Sequence, residues 1–326
     1  MRARLGAALM ATSLCGCGSF TSEFRADMRD KTSRSGMALG YVNGSTLEIL
    51  PLNGGPPTNQ ILENRSGPRQ SSSGWFSPDG KLIVWQLSWP FAKADDPSLV
   101  VETLAGVRVA AWYGQLNTIA ALALSPDMSR VALEVQNYFP RAPATGLQYV
   151  VLGTPTRVVV EGMPPQNEAH ASDSLGWSPD SHKIVFSRNR QIIVLDIRTG
   201  TRETLVDGIE PAWSPDGLWI SFTSSRGNAM LIDPSSRQTV TLYEGRTITG
   251  PIGWSPDSCC VSFSDGHKGL LDAVTFSEAR MVVYRIKDGA WYVLKRFGPD
   301  GGTSSHFGWF YHYKEFLANN NRNGKR

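Results

Sequence analysis

Five Ser-Pro-Asp triplets supply the residues of this sequence whose types could do chemistry. Each triplet places a hydroxyl two residues before a carboxylate, and several carboxylates brought together could bind a metal ion or serve in acid/base catalysis. An aromatic residue or a leucine precedes each triplet, giving three copies of W-S-P-D, one F-S-P-D and one L-S-P-D. The triplets are Ser77, Pro78, Asp79; Ser125, Pro126, Asp127; Ser178, Pro179, Asp180; Ser214, Pro215, Asp216; and Ser255, Pro256, Asp257.

The spacing of the triplets indicates a repeated structural unit. Successive serines are 48, 53, 36 and 41 residues apart, which matches a propeller blade of four short strands. Apolar, β-rich segments follow each triplet, as in KIVFS at 183–187 and LWISFT at 218–223. Because a ring of blades would spread five aspartates around its axis, we interpret them as turn residues and not as a metal or acid/base cluster.

The order Ser-Pro-Asp-Gly at 214–217 fits a type I turn. Proline already has the φ that the second place requires, and Ser and Asp side chains can accept bonds from nearby backbone N–H groups. The preceding Trp is expected to fill space between blades. Only two of the five triplets are followed by Gly; Met128, Ser181 and Ser258 stand there in the others. A side chain in that place is expected to affect the tightness of the turn but not the architecture.

The W-S-P-D-G sequence followed by an apolar strand resembles the repeat of TolB-like β-propellers, over roughly residues 70 to 270. This family occurs in periplasmic proteins and in the non-catalytic domain of prolyl oligopeptidases. The resemblance implies an all-β, six-bladed propeller with four antiparallel strands in each blade. It also implies that a partner lipoprotein or peptide binds at the mouth of the central channel.

Closure of the ring is expected to use both ends of the chain. Residues 37–42 and 46–52 read as a hairpin with a third strand at 60–63, and HFGWFY at 306–311 places Trp309 one blade interval after Trp254. N- and C-terminal strands together can complete one blade and remove the edges of the sheet. Seven blades remain the alternative, because two of the intervals contain extra residues.

The N-terminus has the pattern of a lipoprotein signal. Arg2 and Arg4 precede an apolar run at 5–14, and Leu14-Cys15-Gly16-Cys17 resembles a lipobox in which Cys17 is lipidated. An ordinary signal peptide cut nearby is the alternative. We therefore predict a signal peptide at 1–16, a polar tether at 17–35, a propeller at 36–318 and a disordered tail at 319–326. The expected location is the cell envelope, and in a Gram-negative bacterium the outer membrane facing the periplasm.

Composition limits the classes of partner. A formal net charge of +3 over 326 residues gives no reason to expect a nucleic-acid partner.

Cys259 and Cys260 are adjacent in a β-like segment, so their side chains point to opposite faces and a mutual disulfide would be strained. We interpret them as buried small apolar residues, and we expect a monomer without cofactors.

Candidate binding residues are expected on the face of the ring opposite the Ser-Pro-Asp turns. The links that enter each first strand, and those between second and third strands, converge there on the channel. Charged side chains in these links could hold a peptide carboxylate or an anionic sugar, especially through Arg. The candidates are His170, Asp173, Arg188, Glu210, Arg226, Arg246 and His306.

No catalytic motif accompanies the repeat. The sequence contains no G-x-S-x-G, H-E-x-x-H, P-loop or G-x-G-x-x-G. The main hypothesis is thus a non-catalytic, lipid-anchored propeller that binds a protein or peptide of the envelope. The alternative is a polysaccharide lyase or hydrolase with a metal held in the channel by His170, His306 and acidic neighbours. A third hypothesis is a ring that only scaffolds an envelope complex.

Overall fold

The computed structural model describes residues 37–43, 46–52, 56–61, 70–88, 97–103, 107–114, 118–136, 146–162, 174–244, 246–266, 279–297 and 307–310. These residues form 25 β-strands and no helix. The strands pair into six antiparallel sheets, which we number as blades 1 to 6. The described residues therefore confirm an all-β, six-bladed propeller, and the seven-bladed alternative is wrong.

Blade 1 closes the ring, and the other five blades follow in chain order. The first three blades contain β1 (Ala38–Asn43), β2 (Thr46–Pro51) and β3 (Thr58–Ile61); β4 (Gln70–Phe76), β5 (Leu82–Ser88), β6 (Leu99–Thr103) and β7 (Arg108–Trp112); and β8 (Thr118–Leu124), β9 (Arg130–Gln136), β10 (Gly146–Val151) and β11 (Arg157–Gly162).

Blades 4 to 6 follow the same plan, except that the inner strand of blade 6 is in two pieces. They contain β12 (Leu175–Trp177), β13 (Lys183–Arg188), β14 (Gln191–Asp196) and β15 (Arg202–Asp207); β16 (Ile209–Trp213), β17 (Ile220–Thr223), β18 (Ala229–Ile232) and β19 (Thr239–Tyr243); and β20 (Thr247–Ile248), β21 (Gly253–Trp254), β22 (Cys260–Gly266), β23 (Ala279–Arg285) and β24 (Trp291–Phe297). The last strand, β25 (Phe307–Phe310), returns to blade 1.

Strand position within a blade explains the sequence pattern. A second strand such as β13 lies between two neighbouring blades, so both of its faces are buried and KIVFSR reads as a nearly continuous apolar run. An outer strand such as β15 has solvent on one side, and RETLVD is accordingly polar and mostly exposed. The apolar content of these two strands thus follows their position in the blade.

The first and last described strands complete blade 1 together. β25 is the inner strand and pairs with β1, with Ala38 opposite Phe310 and Leu39 opposite Trp309. This pairing confirms the expected closure by N- and C-terminal strands. Because Ala38 and Phe310 are partners, β1 begins where β25 ends, at the same end of blade 1.

Aromatic residues at the ends of the inner strands join neighbouring blades. The Trp177 indole N–H donates a 3.0 Å hydrogen bond to the backbone carbonyl of Ala123 in the preceding blade. Trp254 and Trp309 donate equivalent bonds of 3.2 Å to the carbonyls of Ala212 and Gly253. Each acceptor comes directly before the aromatic position of its own blade, so the bond is a repeated inter-blade contact.

The acceptor position is small because the next aromatic ring lies against it. A Cβ added to Gly308 would overlap the ring of Phe76, the aromatic residue that follows in blade 2. The interface between blades 2 and 3 reverses this arrangement. There the acceptor position holds Trp75 and the aromatic position holds Leu124, and both lie in one buried cluster. One large and one small residue thus fill each of these two interfaces.

Cys260 is buried in a core cluster, Cys259 is half-buried against it, and no disulfide joins the two. This burial agrees with their interpretation as small apolar residues.

Candidate functional site

All five Ser-Pro-Asp turns have the same hydrogen-bond pattern. The N–H of the fourth residue donates to the Ser carbonyl at 2.8–2.9 Å, which closes the turn. The Ser hydroxyl donates to the Asp Oδ1 at 2.5–2.7 Å and accepts from the N–H five residues after it at 2.9–3.0 Å. Each Asp Oδ1 also accepts from the N–H two residues later at 3.0–3.2 Å. Each carboxylate is therefore bonded within its own turn.

These bonds affect the acidity of the carboxylates. The Ser178 hydroxyl lowers the pKa of Asp180 below its ordinary value, and burial opposes this only in part. Burial is the largest influence on Asp127 and acts to raise its pKa, but hydrogen bonds from Ser125 and Ser129, with the charge of Arg130, bring the pKa below its ordinary value. Both carboxylates are thus stabilised in the charged form.

The fourth place of the turn requires a left-handed backbone. Its φ is 68° and 73° where the residue is Gly80 or Gly217, and 58°, 59° and 55° at Met128, Ser181 and Ser258. A left-handed backbone conformation at a residue other than glycine destabilises the folded state by about 1–2 kcal/mol. The closing bond is nevertheless equally short in all five turns, so the side chains leave the turns tight.

Two of these side chains form contacts between blades. The Oγ of Ser181 in blade 4 accepts a 3.0 Å bond from the Asp127 N–H in blade 3. The Oγ of Ser258 in blade 6 accepts a 3.0 Å bond from the Asp216 N–H in blade 5. A serine in the fourth place therefore connects its turn to the turn of the preceding blade.

The central channel contains a cavity of about 370 Å³ that opens between the turns. We call this side of the ring the turn face, formed by the five Ser-Pro-Asp turns, and the opposite side the loop face. The inner strands of all six blades contribute to the wall. The wall residues include Trp75, Leu122, Ala123, Gly176, Trp177, Ala212, Trp213, Ile252, Gly253, Gly308 and Trp309.

The rim of the cavity contains apolar residues from all five turns together with Ser77, Asp79, Ser125 and Ser214. Pro78, Pro126, Pro179, Pro215 and Pro256 line it, and none has an N–H to donate. Met128 also lines the rim and is 52% exposed, which is unusual for a large apolar side chain. The residues predicted for binding were assigned to the loop face, and Met128 is not among them. Its departure from Gly in the fourth place of the turn was the available signal.

Two of the predicted binding residues lie near the surface of the loop face. Arg226 is exposed in the hairpin between β17 and β18, where Gly227 closes the turn on Ser224. Glu210 is the second residue of the inner strand of blade 5 and is half-buried, with a φ of 55° directly before Pro211. Such a conformation is strained for a residue before proline. These placements leave the binding role of both residues as a prediction.

Arg188 lies in a buried ion pair. Its guanidinium donates bonds of 2.9 and 3.3 Å to the two carboxylate oxygens of Glu134. The side chains are 5% and 0% exposed, and they belong to the second strands of blades 4 and 3. Arg188 thus connects two blades, and its guanidinium is not presented to solvent.

Arg246 also faces a buried carboxylate. Its Nε lies 3.1 Å from Asp265 Oδ1, and Arg280 donates to both Asp265 oxygens at 2.9 and 2.6 Å. The Tyr243 hydroxyl donates to Asp265 at 2.6 Å, and burial followed by this carboxylate raises the pKa of Tyr243. Two guanidinium groups therefore share one carboxylate at the junction of blades 5 and 6.

The remaining predicted site residues, Cys17, His170, Asp173 and His306, lie outside the described residues. Within the described part of the chain, no three His, Cys, Asp or Glu side chains group as ligands for a metal ion. No helix among the described residues is long and apolar enough to cross a bilayer.

Comparison with known proteins supports the fold. No protein-family model matches the chain. An uncharacterized protein of Agrobacterium fabrum is 30% identical over 188 residues, which are 51% of this chain and 56% of that protein. The match thus spans little more than half the length of this relative.

Two solved structures named for TolB share the architecture. One, from Agrobacterium tumefaciens, has 18% identity and a TM-score of 0.53, over 84% of this chain and 98% of that one. The other, TolB from Acinetobacter baumannii, has 17% identity and a TM-score of 0.54, over 84% of this chain and 66% of that one. The chain is therefore a six-bladed β-propeller with the fold of the TolB structures.

Proposed function

We propose that this protein is a non-catalytic, lipid-anchored binding module of the bacterial envelope, and that it holds a segment of a protein or peptide partner at the turn-face mouth of the channel. The cavity between the five turns is the observation that carries the proposal. It is a concave, mostly apolar site built from all six blades, which is the usual form of a ligand site.

The backbone of the inner strands suits an extended peptide. The Ser178 N–H bonds to the Lys183 carbonyl, so Trp177 and Ile184 form the next, non-hydrogen-bonded pair of the antiparallel ladder. The N–H and C=O of Trp177 then point away from the second strand and toward the channel. The same ladder surrounds Trp213 and Trp254. A bound segment thus meets backbone donors and acceptors along an otherwise apolar wall.

The position of the first described strand determines where a lipid-anchored tether would join the ring. Ala38 pairs with Phe310 at the turn-face end of blade 1, so a tether of residues 17–35 would join the ring beside the cavity mouth. A flexible tether of this length has a root-mean-square span of roughly 25 Å. A lipidated Cys17 would therefore keep the mouth close to the membrane, and the partner we propose is an envelope protein or peptide that reaches the periplasmic surface.

The loop face provides a second, predicted contact surface. Arg226 and Glu210 lie there with opposite charges and separate from the cavity. Substitution of Arg226 tests this surface without the loss of folding expected at Arg188 or Arg246, whose guanidiniums lie against buried carboxylates. If variants at both mouths leave partner capture unchanged, the protein acts as a scaffold and the proposed binding function is wrong.

Crosslinked capture from intact cells tests the proposal. Tagged wild-type protein and a Cys17→Ser variant would be compared after metabolic labelling with an alkyne fatty acid. The wild type should carry the label and recover one dominant envelope partner, and Cys17→Ser should lose both. Equal labelling of the two proteins would disprove the lipidation site, and recovery of no specific partner would contradict the binding function.

A further inference from the structure

The described residues that line the cavity include one ionisable side chain, Asp79, and no Lys, Arg or His. The Asp79 carboxylate already has partners close to it in the chain. Its Oδ1 accepts hydrogen bonds of 2.6 Å from the Ser77 hydroxyl and 3.1 Å from the Lys81 N–H, and its Oδ2 lies 3.4 Å from Lys81 Nζ. The described wall therefore offers no cation to an anionic ligand and only a compensated anion to a cationic one.

The near absence of charge on the described wall restricts what can enter the cavity. A carboxylate or ammonium group that enters loses part of its hydration shell, and burial of a charge without a partner is strongly unfavourable. The charged ends and charged side chains of a peptide should therefore stay outside. The peptide carboxylate and anionic sugar that the loop-face Arg residues were predicted to hold do not suit this mouth.

Backbone groups provide polar contacts on the wall in blades 3 to 6. Leu124 and Val131 form a non-hydrogen-bonded pair, because the Ser125 N–H bonds to the Arg130 carbonyl. The N–H and C=O of Leu124 thus point toward the channel, as do those of the aromatic residue in each of the next three blades. Each of these four blades presents one donor and one acceptor side by side.

A donor beside an acceptor distinguishes between possible ligands. A carboxylate only accepts hydrogen bonds and an ammonium only donates them, so each would leave half of these backbone groups unpaired. A peptide unit both donates and accepts, and it carries no charge. The backbone of an extended segment can therefore pair with one inner strand in the way that an added β-strand does.

We propose that the cavity binds an uncharged, internal stretch of the partner, with its backbone paired to an inner strand and an apolar side chain against Met128. This inference rests on the proposed function and specifies the chemistry of the segment. Met128 is 52% exposed at the rim, and a thioether side chain adapts to apolar surfaces of different shape. A volume of about 370 Å³ is near the lower limit for ligand sites, so only a few residues enter.

Selection from displayed peptides tests the chemistry of the segment. Two libraries of random heptapeptides are offered to the purified protein, one inside a loop of the display scaffold and the other at its free C-terminus. We expect the internal library to yield binders in which Asp, Glu, Lys and Arg are depleted by about tenfold, the effect of one buried unpaired charge. Enrichment of acidic or basic heptapeptides, or a preference for the free carboxylate, would overturn the inference.

Two lysine variants show whether the selected peptides bind at the turn-face mouth. Met128→Lys places a cation on the rim and should shift the selected sequences toward Asp and Glu. Leu218→Lys is the matched control, because Leu218 is 51% exposed but does not line the cavity, and its selected sequences should equal those of the wild type. The same sequences from all three proteins would overturn the inference, since the peptides would then bind elsewhere.

The outcomes separate this inference from the proposed function. Charged heptapeptides whose binding is lost in Met128→Glu would mean that the mouth is a binding site and that the uncharged segment is wrong. No Met128-dependent binder in either library would contradict the proposed function, and the inference with it.

Discussion

The Ser181 hydroxyl in blade 4 accepts a 3.0 Å hydrogen bond from the backbone N–H of Asp127 in blade 3. Ser181 is 2% exposed, so this bond joins two turns at a nearly dry contact. It explains why a serine with a left-handed φ stands where a glycine would be less strained. The interface between blades is therefore held between the turns of the turn face as well as in the apolar core.

Removal of this hydroxyl should destabilise the ring. Ser181→Ala leaves the Asp127 N–H without its acceptor, and we expect a loss of about 1 kcal/mol in the free energy of unfolding. Urea denaturation measures this loss. Ser129→Ala is the control, because the Ser129 hydroxyl bonds only within its own exposed turn. Equal losses in the two variants would show that the inter-blade bond contributes nothing.

At the interface between blades 2 and 3, the large residue Trp75 holds the acceptor position and the smaller Leu124 holds the aromatic position, the reverse of the other described interfaces. We therefore expect that substitutions at these two positions have coupled effects on the free energy of unfolding. Leu124→Trp alone should overfill the interface and cost about 1–3 kcal/mol. Trp75→Gly alone should leave a cavity and cost about 3–5 kcal/mol. The double variant has a glycine at the acceptor position and an aromatic ring at the aromatic position, as at Gly308 and Phe76. Its loss in the free energy of unfolding should therefore be smaller than the sum of the two single losses. A double-mutant cycle measures the coupling. Losses in stability that simply add would contradict the idea that Trp75 and Leu124 fill the same space.

The buried pair of Glu134 and Arg188 predicts a second coupling. Arg188→Met leaves the Glu134 carboxylate buried without its guanidinium, and the expected loss is about 3–5 kcal/mol. Glu134→Leu together with Arg188→Met should recover most of this loss, since no buried charge then remains at the pair. Thermal unfolding of the four proteins checks the result. A double variant less stable than Arg188→Met would show that the pair is not the cause of the loss.

Acid should destabilise the turns. The folded-state pKa of Asp180 lies below its ordinary value of 3.8, chiefly because of the bond from Ser178. A depressed pKa stabilises the folded protein above about pH 4, and this stabilisation is lost as the pH falls through the folded-state pKa. Wild type should thus be more stable than Asp180→Asn at pH 7, and the difference should shrink at pH 3.

Ser178→Ala is the matched variant for this measurement, because it removes the bond and keeps the carboxyl group. Its stability should fall less between pH 7 and pH 3 than that of the wild type. The same pH slope in both proteins would exclude the Ser178 bond as the source of the shift.

The sequence allowed the fold to be predicted because the repeat is local. The residues that make each turn lie within six positions, and the spacing of the turns reflects the length of a blade. Strand limits were less certain. Residues 218–223 read as one strand, but β17 begins at Ile220 because Leu218 still belongs to the turn, where its N–H bonds to Asp216. Local patterns thus identify the unit and miss its edges by one or two residues.

The site was harder to predict because its contacts join distant parts of the chain. From the sequence, Arg188 reads as a charged residue in the loop between two strands. Its buried ion-pair partner, Glu134, lies 54 residues earlier in another blade. Arg246 is likewise placed by Asp265, which belongs to a strand that follows it. The cavity itself depends on how closely six inner strands approach one another, and no short segment of sequence reports that distance. The local sign in the sequence was Met128, a large apolar residue in the fourth place of a turn.

Binding at the turn-face mouth is the central claim, and two variants test it most directly. Met128 and Leu218 are 52% and 51% exposed, and both follow Ser-Pro-Asp triplets, but Met128 lines the cavity and Leu218 does not. The measurement is crosslinked partner capture by Met128→Glu and Leu218→Glu, with equal folding verified by thermal unfolding. Met128→Glu should lose most of the capture, because it replaces a large apolar side chain of the rim with a carboxylate, and Leu218→Glu should keep it. Full capture by Met128→Glu, or equal losses in both variants, would contradict binding in the cavity.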